Sequence, residues 1–272
     1  MNANRMRTLV AAAAATLATL GVAHGTARAE GWGALKVQFV IDGKAADAAP
    51  LSITKDPEYC GKFGLKDESV VVNPENGGIA NVAAFLYVGR TDKVKPTIHP
   101  DLAKMADSVA KVDNNECRFA PRIGVIWTKQ KVEFGNSDTV VHNMNVATVN
   151  AANPQMNQLI PAGKNITHSF KAEEALPIPV SCNIHPWMKG YLVIRDTPYA
   201  AVSDKDGNLT IDKLPAGKWK FRVWQESAGY IQEPTVGGKK QSWKRGEVEV
   251  EIKDGQTTDL GVAKIAAAAF KK

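Results

Sequence analysis

One short loop constrains this chain more than any other stretch of its sequence. Between two runs that predict β-strands, a thiol, an imidazole and a thioether follow at intervals of three residues, as Cys182, His185 and Met188. One Cys, two His and a weak, distant Met are the ligands of mononuclear electron-transfer copper sites. The second imidazole must come from elsewhere in the chain, and His142 is the best candidate. The sequence therefore predicts a copper site.

A purely structural interpretation of the same residues stays open at this point. Unpaired cysteine is among the most buried residue types, so Cys182 could be a core thiol, with His185 and Met188 as loop packing. His142 could be a core histidine whose hydrogen bonds are satisfied. Copper is favoured because the ligand set matches the preference of the metal.

The loop and the segment before it resemble the cupredoxin family. Residues 131–138, followed by the pair His142-Asn143, are similar to the family's first-ligand segment. The C-x-x-H-x-x-M loop is most similar to that of amicyanin and its relatives. The resemblance spans about residues 118–195. It implies an all-β, Greek-key β-sandwich with one type-1 copper per chain, bound by one thiolate and two imidazoles with the thioether at longer range.

The same resemblance implies roles for the residues around the copper. Asn143 would hydrogen-bond across to the cysteine loop and hold the two ligand segments together, although an ordinary loop role is equally open. His185 would lie at the surface, where electrons are exchanged. Trp187 and Met144 would either form an apolar rim around it or belong to the core.

The amino terminus has the features of a targeting segment. A short basic region precedes an apolar run at residues 8–23, and an A-x-A-like cleavage site ends at Ala29. We expect residues 1–29 to be a signal peptide and the protein to be periplasmic or secreted. The apolar run is too short for a confident membrane span, and we expect none in the mature chain.

Cysteine content agrees with this compartment. The chain has three cysteines, and an exported protein is expected to pair them where it can. If Cys182 binds a metal, the remaining pair is Cys60 and Cys117. We therefore expect a Cys60–Cys117 disulfide bond.

Short strands separated by turn signals are predicted through most of the chain, as a β-sandwich requires. Residues 30–196 are expected to form the cupredoxin-like copper domain, with an irregular insertion at 50–78 and a polar loop at 150–165. Helical turns are predicted at 101–108. The predicted strands are 35–42, 79–88, 123–127, 131–134, 141–149, 166–170, 178–182, 191–195, 247–252 and 259–262.

The last third of the chain has a different character. Residues 199–224 resemble the carboxypeptidase regulatory-like, or transthyretin-like, β-sandwich module, and Asp206-Gly207 within them predicts a hairpin turn. We expect residues 197–265 to form a second small β-sandwich module, and residues 266–272 a frayed tail. No clear linker separates the module from the copper domain.

Composition argues against several other functions. A formal net charge of +6, part of which lies in the signal segment, is too small to imply nucleic-acid binding. Besides the two proposed ligands and His24 of the signal segment, only His99 and His168 remain. Oxygen-reducing or nitrite-type copper catalysis needs more imidazoles, and a binuclear centre needs a second Cys in the loop. We therefore expect a protein that is not an enzyme.

Three functions remain open. The first is single-electron transfer between periplasmic proteins, with a redox partner such as a c-type cytochrome or a dehydrogenase. The second is a copper carrier or sensor that uses the same fold. The third is a structural β-sandwich binding module. An intense visible absorption that disappears on reduction separates the first two from the third.

Overall fold

The computed structural model describes residues 31–89 and 91–270. The expected signal peptide and the last two residues of the chain lie outside the described residues. The strands are, in chain order, β1 Trp32–Asp42, β2 Ala83–Tyr87, β3 Val109–Asn115, β4 Arg118–Ala120, β5 Ile123–Trp127, β6 Lys131–Asn136, β7 His142–Val146, β8 Met156–Ile160, β9 Asn165–His168, β10 Ile178–Ser181, β11 Lys189–Arg195, β12 Ala200–Val202, β13 Asn208–Pro215, β14 Gly217–Gln225, β15 Gly229–Tyr230, β16 Thr235–Val236, β17 Lys239–Lys240, β18 Glu247–Ile252 and β19 Thr257–Ala266.

The helices are short and few in comparison. They are α1 Pro57–Cys60, α2 Pro100–Ala103 and 3₁₀ turns at Gly61–Phe63, Lys104–Asp107, Lys244–Gly246 and Ala267–Ala269. The helical turns predicted at 101–108 are therefore confirmed. Across the residues described, none of the helices is long and apolar enough to cross a membrane.

The strands form four sheets, and the all-β expectation is confirmed. Sheet I has the order β13-β1-β19-β16-β17, and sheet II the order β12-β2-β14-β15 with β18 also paired to β14. Sheet III has the order β5-β11-β10-β7-β8, and sheet IV the order β4-β3-β6-β9. The copper loop predicted from the sequence connects β10 to β11, two neighbours in sheet III.

The sheets stack in layers, and the two inner ones, sheets II and III, are apolar on both faces. Phe85 of β2 and Val193 of β11 belong to the apolar layer between sheets II and III. Their neighbours Leu86 and Leu192 belong instead to the core shared with sheet I and to the core shared with sheet IV. Side chains of a strand alternate between its faces, so an unbroken apolar run marks a strand that is covered on both sides.

Strand pairing joins the two ends of the chain. β1 pairs antiparallel with β13 and parallel with β19, and β2 pairs with β12 and β14. Sheets I and II therefore combine residues from both sides of the boundary that we expected after residue 196. An alternating run shows that a strand forms and which face is buried, but not which strand it pairs with.

The predicted hairpin at Asp206-Gly207 is wrong. The turn connects β12 in sheet II to β13 in sheet I, so its two flanking strands do not pair with each other. Gly207 has a positive φ of 79°, and a Cβ there would lie 2.1 Å from the carbonyl oxygen of Phe39. The glycine is thus required by a close approach to β1 rather than by a two-residue hairpin.

Two other regions are more ordered than expected. The polar loop at 150–165 contains β8, an edge strand of sheet III in which only Met156 and Ile160 are buried. Its three exposed middle residues give no alternating pattern, so the sequence did not predict this strand. At the carboxyl end, Ala266 still pairs with Asp42 and Phe270 packs against the core between sheets I and II. The expectation of a frayed tail is therefore wrong for residues 266–270.

Candidate metal centre

The loop between β10 and β11 is closed by its own backbone. Ser181 and Lys189 are cross-strand partners, the Cys182 amide donates to the carbonyl oxygen of Met188 at 3.3 Å, and the Met188 amide donates to that of His185 at 2.9 Å. These bonds place the thiol at the start of the loop and turn the imidazole back towards it. The short spacing in the sequence thus becomes a compact group of side chains.

Sheet pairing brings His142 to this loop. β7 lies beside β10, with Ser181 paired to Asn145, so the start of β7 lies next to the start of the loop. The Asn143 amide donates to Sγ of Cys182 at 3.4 Å. His142 therefore projects into the same core from the neighbouring strand.

Three side chains converge into one potential metal site. Nδ1 of His142 lies 3.9 Å and Nδ1 of His185 lies 3.7 Å from Sγ of Cys182, and all three atoms lie within 4.8 Å of one another. His142 and His185 are 0 % exposed, and Cys182 is 2 % exposed. A thiolate and two imidazoles that point at a common centre fit a copper ion. Met188, 1 % exposed, packs in the same apolar cluster as Cys182.

A second group of potential ligands is not available to a metal. Cys117, Asp138 and His142 also lie close together, but the sulfur of Cys117 is bonded to Cys60 in a disulfide. The expected Cys60–Cys117 pairing is thereby confirmed, and Cys182 is a free, buried cysteine. Of the two groups, only the one that contains Cys182 offers a thiolate.

Asn143 connects the loop that carries Cys182 and His185 to the strand that carries His142. Its Oδ1 accepts the amide of Asn183 at 2.7 Å and that of Ile184 at 3.3 Å, while its Nδ2 donates to Oδ1 of Asn157 at 2.6 Å. The side chain thus fixes the first residues of the loop to β7 and β8, with the amide plane held at both ends.

Each of the two imidazoles that face Cys182 has a carboxylate on the ring nitrogen that faces away from the thiol. Nε2 of His142 lies 2.8 Å from Oδ2 of Asp138. The same carboxylate accepts the backbone amides of Glu116 at 2.6 Å and Cys117 at 2.8 Å, and the hydroxyl of Tyr59 at 2.9 Å. A carboxylate in this position fixes the tautomer and orientation of a metal-binding histidine.

The expectation that His185 lies at the surface is wrong. Its ring is fully buried, because Asp56 of the segment inserted between β1 and β2 covers it, with Oδ2 2.8 Å from Nε2. Met144 is also buried in the core and forms no rim. Sequence reasoning missed Asp56, Tyr59 and the role of Asp138. Asp138, four residues before His142, could have been noticed; Asp56 lies 129 residues from His185 and gave no signal.

Hydrogen bonding has a larger effect than burial on the pKa values of Cys182 and His142. Burial raises the pKa of the Cys182 thiol, but hydrogen bonds with His142 and His185 lower that pKa from 9.0 to about 6. Burial lowers the pKa of His142, yet the bond to Asp138 and the neighbouring Cys182 leave this pKa raised above its usual value. The site therefore favours a thiolate, which is the form that binds a metal.

We expect the metal-free protein to contain a Cys182 thiolate at neutral pH. The ultraviolet absorbance of the thiolate should titrate with a midpoint at about pH 6, and Cys182→Ser should remove this titration. Because folding lowers this pKa, the thiolate stabilises the folded protein above the ordinary thiol pKa, and this contribution is lost as the pH falls through about 6. A midpoint near 9.0 would contradict the assignment.

A groove of about 630 Å³ lies beside the ligand loop. Trp187 and Met188 line it from the loop. Arg122, between β4 and β5, Tyr191 of β11 and Glu226, just after β14, line it from the neighbouring segments. The Trp187 ring stands edge-on to the His185 ring at 5.2 Å between centroids, and its Nε1 donates to the carbonyl oxygen of Cys117 at 3.2 Å. This half-buried indole connects His185 to the groove.

Comparison of the sequence with protein-family models and with curated proteins gives no match. Partial structural similarity is found to a Cu-containing nitrite reductase from Thermus scotoductus, with 17% identity, a TM-score of 0.27 and coverage of 40% of this chain. The chain covers 25% of that reductase. A purple cupredoxin from Nitrosopumilus maritimus has 21% identity and a TM-score of 0.25, and the match covers 31% of this chain and 98% of the cupredoxin. A reduced amicyanin variant has 19% identity and a TM-score of 0.29, and the match covers 37% of this chain and 92% of the amicyanin.

Proposed function

We propose that this chain is a type-1 copper protein that transfers single electrons between exported redox proteins. The observation that supports it most is the buried Cys182 sulfur, which faces the Nδ1 atoms of His185 and His142 at 3.7 and 3.9 Å. Copper held by one thiolate and two imidazoles supplies a one-electron couple. We propose one copper per chain, with Met188 as a distant ligand that tunes the potential.

The residues around the site are arranged to keep its geometry constant. Asn143 fixes the loop to β7, and Asp138 and Asp56 hold the two imidazoles by their outer nitrogens. Ligands locked by a surrounding hydrogen-bonded shell need little rearrangement when a bound group changes its charge. Burial also excludes water from the thiolate.

We propose a redox protein, such as a c-type cytochrome or a dehydrogenase, as the partner. The disulfide is typical of an oxidising compartment, which supports a periplasmic or secreted location. Because Asp56 covers the outer edge of His185, we propose that electrons are exchanged through Trp187, whose ring contacts His185 and borders the groove.

We propose a carrier of electrons rather than an enzyme. His99 has a structural role, since its Nδ1 accepts the amide of Asp101 at the start of α2 and its ring packs against Trp32 at 4.7 Å. His168 packs edge-on against Phe170 at 4.8 Å. Burial of the ligands also favours electron transfer over the alternative of a copper carrier, because a carrier must release its metal.

Three measurements on the mature protein test this function. After addition of Cu(II), voltammetry should show one reversible couple for one copper per chain, and a reduced c-type cytochrome should be oxidised by the protein in stopped-flow mixing. Release of Cu(I) to a chelator should be much slower than this exchange. Rapid release with no reversible couple would favour a copper carrier, and failure to bind copper would favour a structural module.

Replacing Met188 by leucine should retain copper and raise the potential. A distant thioether adds little binding energy but tunes the potential of the copper, and leucine preserves the apolar volume in the core. The measurement is the voltammetric midpoint together with the copper content. Met156→Leu, in the same apolar cluster but on β8, is the matched control and should leave the midpoint unchanged. Loss of copper from Met188→Leu would show that the thioether is a principal ligand.

A further inference from the structure

We infer that Asp56 is a positioning residue for the ligand His185, and that residues 56–63 form a cap that closes the outer edge of this imidazole. The cap consists of Asp56, α1 and the 3₁₀ turn Gly61–Phe63. The inference rests on the proposed function, because it concerns how one ligand of the same site is held and shielded.

The contact itself selects one form of the imidazole. Oδ2 of Asp56 lies 2.8 Å from Nε2 of His185, and the ring is 0 % exposed whereas the carboxylate is one-third exposed. A carboxylate can only accept at this position, so it favours the tautomer with its hydrogen on Nε2. The lone pair of Nδ1 then points towards Cys182, which is the arrangement that a metal ligand requires.

The backbone of Asp56 is held in an uncommon conformation. Its φ of 47° and ψ of 47° are left-handed, although the residue before a proline prefers extended backbone. The amides of Tyr59 and Cys60 donate to its carbonyl oxygen at 3.0 and 2.9 Å, so the first turn of α1 fixes the residue. A sparsely populated conformation that the surroundings enforce is typical of functional positions.

The cap is anchored at both imidazoles. Cys60 joins it covalently to Cys117, whose amide donates to Asp138 at 2.8 Å. Tyr59 donates its hydroxyl to the same carboxylate at 2.9 Å, and that carboxylate holds His142. One covalent bond and two carboxylates therefore connect the inserted segment to both histidine ligands.

Three variants test the positioning role in the metal-free protein. Asp56→Ala removes the acceptor, Asp56→Asn retains a weaker acceptor that also tolerates left-handed backbone, and Glu58→Gln removes a carboxylate of the same helix that does not contact His185. The ¹⁵N shifts of the His185 ring report its tautomer, and iodoacetamide reports access to Cys182. We expect Asp56→Ala to lose the single tautomer and to react faster with iodoacetamide than the wild type. Asp56→Asn should be intermediate, and Glu58→Gln should match the wild type.

A second measurement uses Co(II), which stays in one oxidation state without added reductant, so the Cys60–Cys117 disulfide of the cap remains intact. Removing a carboxylate partner of a metal-binding histidine typically weakens metal binding by about 10- to 100-fold. We expect this loss for Asp56→Ala, with a smaller loss for Asp56→Asn and none for Glu58→Gln. Circular dichroism of each variant establishes that the fold is retained.

The outcomes separate this inference from the proposed function. An unchanged tautomer, thiol reactivity and Co(II) affinity in Asp56→Ala would overturn the positioning role even if the wild type is a good electron carrier. A changed tautomer and reactivity in a protein that shows no reversible copper couple would support the positioning role and count against the proposed function. If Asp56→Ala does not fold, Asp56→Asn is compared with Glu58→Gln instead. A change in the first and none in the second supports the positioning role, and equal behaviour of the two overturns it.

Discussion

Replacing Cys182 by serine is expected to abolish the intense visible absorption of the Cu(II)-loaded protein. The absorption requires charge transfer from a thiolate sulfur to copper, and Cys182 is the free cysteine of the site while Cys60 and Cys117 form a disulfide. Serine has nearly the same shape but does not ionise at neutral pH. The loss should therefore be complete rather than partial.

The measurement is a Cu(II) titration followed by visible absorption, with circular dichroism to show that the variant is folded. Met156→Leu should keep the full band, because it changes the same apolar cluster without removing a ligand. Any weak absorption left in Cys182→Ser should resemble that of Cu(II) bound to imidazoles alone. A retained intense band would show that the thiolate is not a copper ligand.

The central part of the site could be predicted from sequence because its residues are close in the chain or in adjacent strands. Cys182 and His185 share one loop, and their chemistry is specific enough to indicate a metal. His142 could be added because it belongs to the segment that resembles the first-ligand segment of cupredoxins. Pairing of β7 with β10 then brings it to the loop.

The surroundings of the site could not be predicted in the same way. Asp56 contacts His185 across 129 residues, from a segment whose composition indicates only irregular structure. The same limit applies to β1, which alternates clearly but whose partners, β13 and β19, lie near the other end of the chain. Local patterns determine which residues are buried, whereas long-range pairing depends on the packing of the complete fold.

Removing the disulfide with Cys60→Ser and Cys117→Ser is expected to destabilise the metal-free protein by about 4 kcal/mol in the chain-entropy treatment. The bond spans a sequence separation of 57 residues, so it restricts a large part of the unfolded chain. Urea unfolding under non-reducing conditions measures the change. A reductant should destabilise the wild type by a similar amount and leave the double variant unaffected. A difference below about 1 kcal/mol would contradict this expectation.

The same double variant should also weaken the contribution of Asp56 to the site. With the disulfide present, loss of the Asp56 carboxylate breaks a contact that a fixed cap enforces. Without it, the cap can move away from His185, so Asp56→Ala should cost less Co(II) affinity in the double variant than in the wild type. The two changes are then non-additive, as expected for residues that act through one structural unit. Equal losses in both backgrounds would show that the disulfide stabilises the fold without holding the cap on the imidazole.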